Sequence, residues 1–192
     1  TKLSTSQFLD PRTKRIDPEL IGAIGLDESM FGRYVNPSDR VGCLTPEVQE
    51  MTGLGAVPVV AVAGHDTGAA VASIPASNPN FAYLSCGTWS LLGIEVKEAI
   101  INEKSFEYNF TNEGGIEGTT RFLKNICGMW IFERCRKEWT EAPEDVRVVI
   151  EESVEAPAFQ CFINPDAPDF ANPVSMVEAI RNYCKRTGQY VP

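Results

Sequence analysis

A short polar segment after an apolar strand is the first place in the sequence where chemistry could occur. Residues 64–67 read Gly-His-Asp-Thr and follow a β-branched, apolar run at residues 57–63. In open α/β sheets, ligands bind beyond the carboxyl ends of the strands. Asp66 is therefore a candidate general base toward a hydroxyl about 2.6–3.2 Å away. The alternative is that Asp66 or Thr67 only caps the next helix, and an isolated histidine such as His65 is more often structural.

A glycine turn between two predicted strands is the second candidate. Residues 85–90 read Ser-Cys-Gly-Thr-Trp-Ser, so Gly87 and Thr88 offer backbone N–H and hydroxyl donors that suit phosphate oxygens. A hairpin needs such a turn for its own geometry. A purely structural turn is therefore the alternative at this position.

The third candidate is a predicted helix over residues 120–139. One face of this helix has the i, i+4, i+7, i+11 spacing and consists of Phe122, Ile126, Met129 and Glu133. Because most of that face is apolar, the helix is expected to be largely core. Glu133 would then face a cleft or lie at the exposed end of the stripe. Asn125 lies beside the stripe, where it could contact a ligand or simply be solvated.

Composition and charge exclude several classes of protein. The 192 residues include 26 acidic and 17 basic ones, a net charge of −9, which disfavours nucleic acid or an anionic membrane surface as the main partner. No apolar run approaches the roughly 20 residues that span a bilayer. One histidine, and six cysteines without ligand spacing, disfavour a metal-dependent hydrolase. We expect a cytoplasmic protein with reduced thiols, and a disulfide framework is the alternative.

The elements that must position these candidates alternate between strand and helix, which predicts an α/β fold. Proline at the first position and glycine at the end predict short helices at residues 18–25 and 45–53. The apolar run at 57–63 is expected to be a strand buried on both faces. The small residues at 69–73 are expected to form a helix packed closely on the sheet.

The second half of the chain continues the same alternation. Strands are predicted at residues 81–85 and 89–96, joined as a hairpin. Residues 112–118 are expected to form a flexible loop, and the proline-rich residues 142–173 mainly a strand and a long loop. A final amphipathic helix is predicted at residues 174–187, with a glycine as its stop.

Taken together, several ordered segments resemble the FGGY carbohydrate kinases. The segment around Asp66 resembles the one that holds the catalytic aspartate of that family. Within the family, two later segments are most similar to the kinases of L-rhamnulose. The likeness covers residues 1–139 closely and 160–192 more loosely, and the segments that carry it are residues 9–13, 42–48, 59–67, 81–90, 109–115 and 121–130.

The resemblance implies an actin-like ATPase fold with two RNase H-like domains. Residues 1–64 would be the tail of the first domain and residues 65–192 a part of the second. It also implies that Asp66 is the base that takes the proton from the sugar hydroxyl as it attacks the γ-phosphate. The positions that match sugar contacts are His65, Thr67 and Asn125, and those that match ATP contacts are Gly87, Thr88 and Glu133. The family often has glutamine at the last of these, and an acid there would repel phosphates unless a metal ion or water bridges them.

The activity implied is transfer of phosphate from ATP, with Mg²⁺, to the terminal hydroxyl of a ketose. The expected substrate is L-rhamnulose, giving L-rhamnulose 1-phosphate in rhamnose catabolism. The chain shows neither the Asp-x-Gly-x-Ser/Thr phosphate loop with which the family begins nor the glycine-rich adenosine motif with which it ends. We therefore expect an interior piece of such a kinase that is inactive alone.

Two alternatives stay open alongside this expectation. One is a non-catalytic or degenerate module that at most binds sugar. The other is a kinase of the same family for another ketose, such as xylulose or fuculose. The expected partners are a small sugar and ATP, without nucleic acid or membrane, and the sequence leaves the oligomeric state open.

Overall fold

The computed structural model describes residues 3–141 and 143–192 and contains both helices and strands. The packing of the chain separates it into two compact units. Unit 1 comprises Thr1–Ser85 and Leu91–Lys124, and unit 2 comprises Cys86–Ser90 and Asn125–Pro192. These units follow packing alone, so the domain boundary after residue 64 that the family resemblance implies stays a prediction.

Unit 1 begins with a small hairpin and a capped helix. Strands β1 (Leu9–Asp10) and β2 (Arg15–Ile16) pair antiparallel, and helix α1 (Pro18–Ala23) follows them. The Asp17 side chain accepts backbone N–H groups of the first turn of α1. The helix predicted at residues 18–25 is confirmed, because its start is determined by local capping.

The second helix lies between the two strands of a ribbon in the sequence. Strand β3 (Arg40–Cys43), helix α2 (Pro46–Thr52) and strand β4 (Pro58–Val60) follow in order. Thr45 caps α2, and Gly53 ends it with φ +70°, in the left-handed region that glycine adopts without strain. The second predicted helix is therefore confirmed with its cap and its stop.

The strand predicted at residues 57–63 is shorter and more exposed than expected. Within the described part of the chain, β4 pairs antiparallel only with β3, and its three residues are all exposed. The prediction that this strand is buried on both faces is wrong for this chain. An apolar composition gives a strand the capacity for burial, but burial requires neighbouring layers, and the described residues leave both of its faces to solvent.

The largest sheet follows helix α3 (Asp66–Ala72) and has the strand order β5-β6-β8-β7. The elements after α3 are β5 (Ala82–Cys86), β6 (Ser90–Val96), α4 (Glu103–Glu107), β7 (Phe110–Gly114) and β8 (Thr120–Ile126). The predicted small-residue helix and the predicted strand pair β5–β6 are confirmed. In unit 1, Val71 of α3 forms a buried cluster with Tyr83 and Leu123.

Two predictions in this region are wrong. The loop expected at 112–118 begins inside β7, and the first third of the helix expected at 120–139 is β8. The two strands pair antiparallel, and the rings of Phe110 and Phe122 stack with centroids 4.6 Å apart. Strand β7 ends at Gly114 and β8 begins at Thr120, and the pairing of these two neighbouring strands overrides the helical periodicity of the sequence.

Unit 2 is mainly helical. Its helices are α5 (Met129–Glu138), α6 (Val146–Glu155) and α7 (Met176–Arg186). The predicted last helix is confirmed, with Gly188 at φ +69° after it. Helix α6 corrects the prediction of strand and loop at 142–173, because the stretch between two prolines is long enough for a helix that Asp145 caps.

The core of unit 2 is apolar. Its buried residues come from α5, from a 3-10 turn before α7 and from α7 itself, and they are Ile131, Cys135, Phe170 and Met176. All six cysteines are free thiols, as expected, and no disulfide framework is present. Among the described helices, none has the length and apolar character needed to cross a membrane.

Candidate active site

The loop between β4 and α3 brings Asp66 to the start of a helix. Gly64 has φ +72°, in the left-handed region that favours glycine, and His65 is the extended residue just before α3. The His65 Nε2 atom lies 3.0 Å from Asp66 Oδ1. The same Oδ1 accepts the Thr67 backbone N–H at 2.8 Å. The Thr67 amide thus orients the carboxylate, and the His65 ring nitrogen lies within ion-pair distance of the same oxygen.

The carboxylate is accessible although its neighbours are not. The Asp66 side chain is 92% exposed and that of His65 is 20% exposed, while Thr67 is buried. The exposed side faces an open depression of about 630 Å³, lined by Val62, Gly64, His65, Asp66 and Ala69. Capping and chemistry are therefore compatible here, since Asp66 accepts one helical amide and still faces solvent.

A buried ion pair lies beneath this loop and was not anticipated from the sequence. Arg121 Nη2 lies 2.9 Å from Glu113 Oε2, and the two side chains are 2% and 5% exposed. Glu113 and Arg121 are directly opposite each other on β7 and β8. Opposite charges at facing positions of two strands are a signal for such a pair. The sequence hides this signal, because its local patterns predict a loop and a helix for the two segments.

The glycine turn of residues 87–89 receives the first turn of helix α5 in unit 2. The backbone N–H of Met129 donates to Gly87 O at 3.3 Å, and that of Trp130 to Thr88 O at 3.2 Å. The Gly87 N–H donates to Trp89 O at 2.9 Å, and the predicted role of Gly87 toward a phosphate stays a prediction. Thr88 is exposed, and no hydrogen bond among the described residues uses its hydroxyl.

The start of α5 requires a residue without a side chain. Gly128 precedes the helix, and a Cβ built there would lie 2.8 Å from Ser90 Cβ and 3.0 Å from Ser90 N, overlapping the Ser90 hydroxyl as well. Real Cβ contacts are not this short. The close approach therefore fixes the turn against the helix, and Gly128 is a second position that sequence reasoning missed.

The remaining candidates lie at separate points of unit 2. Glu133 is one turn after Met129 on α5, half-buried, and pairs with Arg136 Nη2 at 3.1 Å. Because the partner is a guanidinium, the charge that would repel a phosphate is partly neutralised. Asn125 is exposed near the end of β8. Its predicted place on a helix is wrong, while its role stays a prediction.

A separate cavity of about 390 Å³ in unit 1 has several of its polar groups already in use. Asn112 bonds both backbone groups of Ile100, at 2.9 and 3.0 Å. Lys14 donates to the carbonyls of Gly118 and Thr119. Glu113 is the acid of the buried pair. Because these three side chains are committed to internal contacts, we propose no ligand for this cavity.

Comparison with known proteins identifies the chain's relatives. Rhamnulokinase of Bacteroides thetaiotaomicron is 55% identical over the whole chain, and that of Bacillus subtilis is 40% identical over the whole chain. The chain spans about two fifths of the length of these relatives, 39% in both cases.

Solved structures show the fold. A xylulose kinase from Rhodospirillum rubrum superimposes with a TM-score of 0.60 at 16% identity, over 79% of this chain and 31% of that one. A carbohydrate kinase from Novosphingobium aromaticivorans has a TM-score of 0.58 at 17% identity, over 95% and 45%. The chain therefore has part of the actin-like ATPase fold.

A family model covers more than half of the sequence. It describes the FGGY family of carbohydrate kinases, C-terminal domain, and matches residues 82–191. Together with relatives that align over the full chain, this match confirms the resemblance seen in the sequence. The chain belongs to the FGGY family of carbohydrate kinases.

Proposed function

We propose that a protein containing this chain is an ATP-dependent sugar kinase that phosphorylates the terminal hydroxyl of L-rhamnulose. The observation that carries the proposal is the Asp66 carboxylate, exposed at the first turn of α3 and 3.0 Å from His65 Nε2. The choice of L-rhamnulose over xylulose or fuculose is supported by the relatives of 37–55% identity, which are named rhamnulokinase. The product would be L-rhamnulose 1-phosphate.

The proposed reaction requires little covalent chemistry from the protein itself. Phosphoryl transfer depends mainly on positioning and on neutralising charge, with one residue that orients or deprotonates the nucleophile. Asp66 would accept the proton of the sugar hydroxyl as its oxygen attacks the γ-phosphorus and ADP leaves. The His65 Nε2 atom lies 3.0 Å from that carboxylate. Thr67 and Asn125 would fix the sugar, the amide because it both donates and accepts.

The nucleotide side would use the turn and helix α5. Thr88 offers an exposed hydroxyl to a phosphate oxygen, and Gly87 allows a close approach. Glu133, neutralised in part by Arg136, would contact the nucleotide away from the phosphates. No three His, Cys, Asp or Glu side chains of the described residues form a metal site. Mg²⁺ commonly binds through phosphates, waters and one or two carboxylates, and in the proposed reaction it would arrive with ATP and neutralise phosphate charge.

The compartment and partners follow from the same chemistry. Six free thiols are typical of a reducing cytoplasm, where ATP and the free sugar would be the partners. We place the reaction there.

The decisive experiment uses a hybrid enzyme, because the chain spans 39% of its Bacteroides relative. The chain replaces the matching segment of that rhamnulokinase, and ADP release is measured with L-rhamnulose, xylulose, fuculose and no sugar. We expect turnover that is fastest with L-rhamnulose. A folded hybrid that is inactive beside an active parent would contradict the kinase proposal, and a preference for another ketose would contradict the substrate.

The isolated 192-residue chain can lack catalytic activity without contradicting that proposal. Calorimetry on the isolated chain is expected to show weak or absent ATP binding, and the chain is expected to show no turnover. Robust phosphorylation by the isolated chain would contradict the expectation that activity needs more residues than these.

A further inference from the structure

The buried pair under α3 is held in a fixed geometry. Besides the 2.9 Å contact between Arg121 Nη2 and Glu113 Oε2, the Arg121 Nε donates to Gly114 O at 3.2 Å. Thr5 Oγ1 also donates to Glu113 at 3.4 Å. The guanidinium is thus anchored by two of its nitrogens to strand β7. A planar group bonded at two points has little freedom to move.

This guanidinium lies directly against the first turns of α3. A Cβ built at Gly68 would lie 3.3 Å from Arg121 Nη2, 3.4 Å from its Cζ and 3.3 Å from Ala63 Cβ. Gly68 is two residues after Asp66, and Ala63 is the residue just before Gly64. The Arg121 side chain and Ala63, at the start of the loop that carries His65 and Asp66, therefore both lie next to Gly68.

The pair is poorly explained by stability alone. A buried ion pair often contributes no more stability than apolar residues of similar size. Here one guanidinium nitrogen, Arg121 Nη1, is buried and has no hydrogen-bond partner among the described residues. An unsatisfied buried donor costs free energy. The hydrogen bonds of the pair nevertheless fix the position of the Arg121 guanidinium, which is the group that contacts α3.

We propose that Arg121, anchored by Glu113, is a positioning residue that fixes the start of α3 and with it the His65–Asp66 arrangement. The proposal rests on Asp66 having the role proposed above. Arg121 acts through its packing against Gly68 and takes no direct part in the proton transfer to Asp66. Glu113 and Gly114 determine where the guanidinium lies, and the absence of a side chain at Gly68 lets the helix approach it.

The test uses the fact that the chain has one histidine, so its imidazole signals in NMR report only on this loop. Arg121→Met and Glu113→Leu are introduced together, which avoids leaving one charge buried alone. We expect the folded double variant to show displaced His65 signals. Amides of α3 should exchange with solvent about tenfold faster than in the wild type. Arg121→Lys keeps the positive charge but loses the planar, two-point hydrogen bonding of the guanidinium. Its His65 displacement and its exchange rates should lie between those of the wild type and the double variant.

A matched control separates positioning from general loosening. Ile21→Ala removes a fully buried side chain of α1, in the same unit but outside the cluster beneath α3, and it should weaken the fold while the His65 signals stay in place. Unchanged signals and exchange in the folded double variant would overturn the proposal, and so would an equal displacement in Ile21→Ala.

A third variant still tests the proposal if the double variant does not fold. Gly68→Ala leaves the ion pair intact and places a methyl against Arg121, so the His65 signals should again be displaced. Unchanged signals there would contradict the contact on which the proposal rests. None of these measurements needs turnover. A failure of the kinase proposal would appear in the hybrid enzyme and a failure of the positioning proposal in the NMR spectra.

Discussion

The two compact units hold their candidate ligand-binding groups on supports of different chemistry. In unit 1, α3 rests on a small apolar cluster and on the buried Arg121–Glu113 pair. In unit 2, the turn at residues 87–89 is bonded to the start of α5, and α5 packs on an apolar core with α7. The helix that carries the Asp66 carboxylate is supported by a buried, hydrogen-bonded ion pair. The exposed turn is bonded to a helix that is supported by an apolar core.

This difference separates two tasks. Apolar burial stabilises roughly in proportion to area and is non-directional, so it holds α5 and α7 together without specifying a single side-chain position. Charged hydrogen bonds add little net stability but fix geometry. Stability changes in the two units should therefore respond to different substitutions. The chain also supplies separate probes, because Trp89, Trp130 and Trp139 are its three tryptophans and all lie in unit 2, while His65 lies in unit 1.

The largest stability effect is expected from breaking the polar support in unit 1. Arg121→Met leaves the Glu113 carboxylate buried without its partner, which costs about 3–5 kcal/mol. Urea unfolding followed by the His65 signal measures it. The double variant with Glu113→Leu serves as control and should lose much less. A single variant as stable as the double one would show that the pair does not support unit 1.

Next comes the apolar core of unit 2. Met176 is fully buried, so Met176→Ala should lower the free energy of unfolding by about 3 kcal/mol through lost burial and the cavity left behind. Tryptophan fluorescence in urea reports it. Val174→Ala, two residues away and fully exposed, should be nearly neutral. Equal effects of the two substitutions would argue against the assigned core.

A smaller effect is expected where the turn meets α5. Gly128→Ala forces a methyl against Ser90 and should cost about 1–3 kcal/mol by overpacking, measured by the same fluorescence. Gly87→Ala in the same unit is the control, because a Cβ built there meets only Trp89 O at 3.4 Å, an ordinary contact distance. If Gly128→Ala were as mild as this control, the close approach would be contradicted.

The smallest effect is a pH dependence in unit 1. Burial raises the pKa of Tyr83 to about 12, whereas an unfolded tyrosine titrates near 10. Because the unfolded state loses this proton first, the stability that the raised pKa represents is fully present below about pH 10 and is lost as pH rises through the folded value.

The loss should reach about 1 kcal/mol by about pH 11. Tyr83→Phe should lack this component and cost little at neutral pH, because the Tyr83 hydroxyl is buried without a partner among the described residues. Unfolding of both proteins across this range, followed by His65, makes the comparison. Identical pH profiles would contradict the raised pKa.

Features determined by nearby residues could be predicted from the sequence. Asp17 with Pro18, and Thr45 with Pro46 and Gly53, mark the ends of α1 and α2 because capping involves neighbours in the chain. The same holds for the loop before α3, where glycine and a polar triplet follow an apolar strand.

Features determined by strand pairing could not be predicted. Residues 120–126 carry a helical apolar spacing, yet they form β8 because β7 pairs with them and Phe110 stacks on Phe122. The exposure of β4 likewise depends on which strands lie beside it. The buried pair of Glu113 and Arg121 becomes visible only once this register is known. Sequence therefore locates the chemistry, and tertiary pairing reveals what positions it.

The central claim is that Asp66 is the base of a sugar kinase. The most direct measurement compares Asp66→Asn with Asp145→Asn in the hybrid enzyme. Asp145 caps α6, and asparagine caps a helix as well as aspartate does, so the control makes the same chemical change without consequence. The account predicts that Asp66→Asn lowers kcat for L-rhamnulose by about 10²–10⁴-fold with little change in the sugar KM, while Asp145→Asn leaves both unchanged. Equal turnover by the two variants would contradict it.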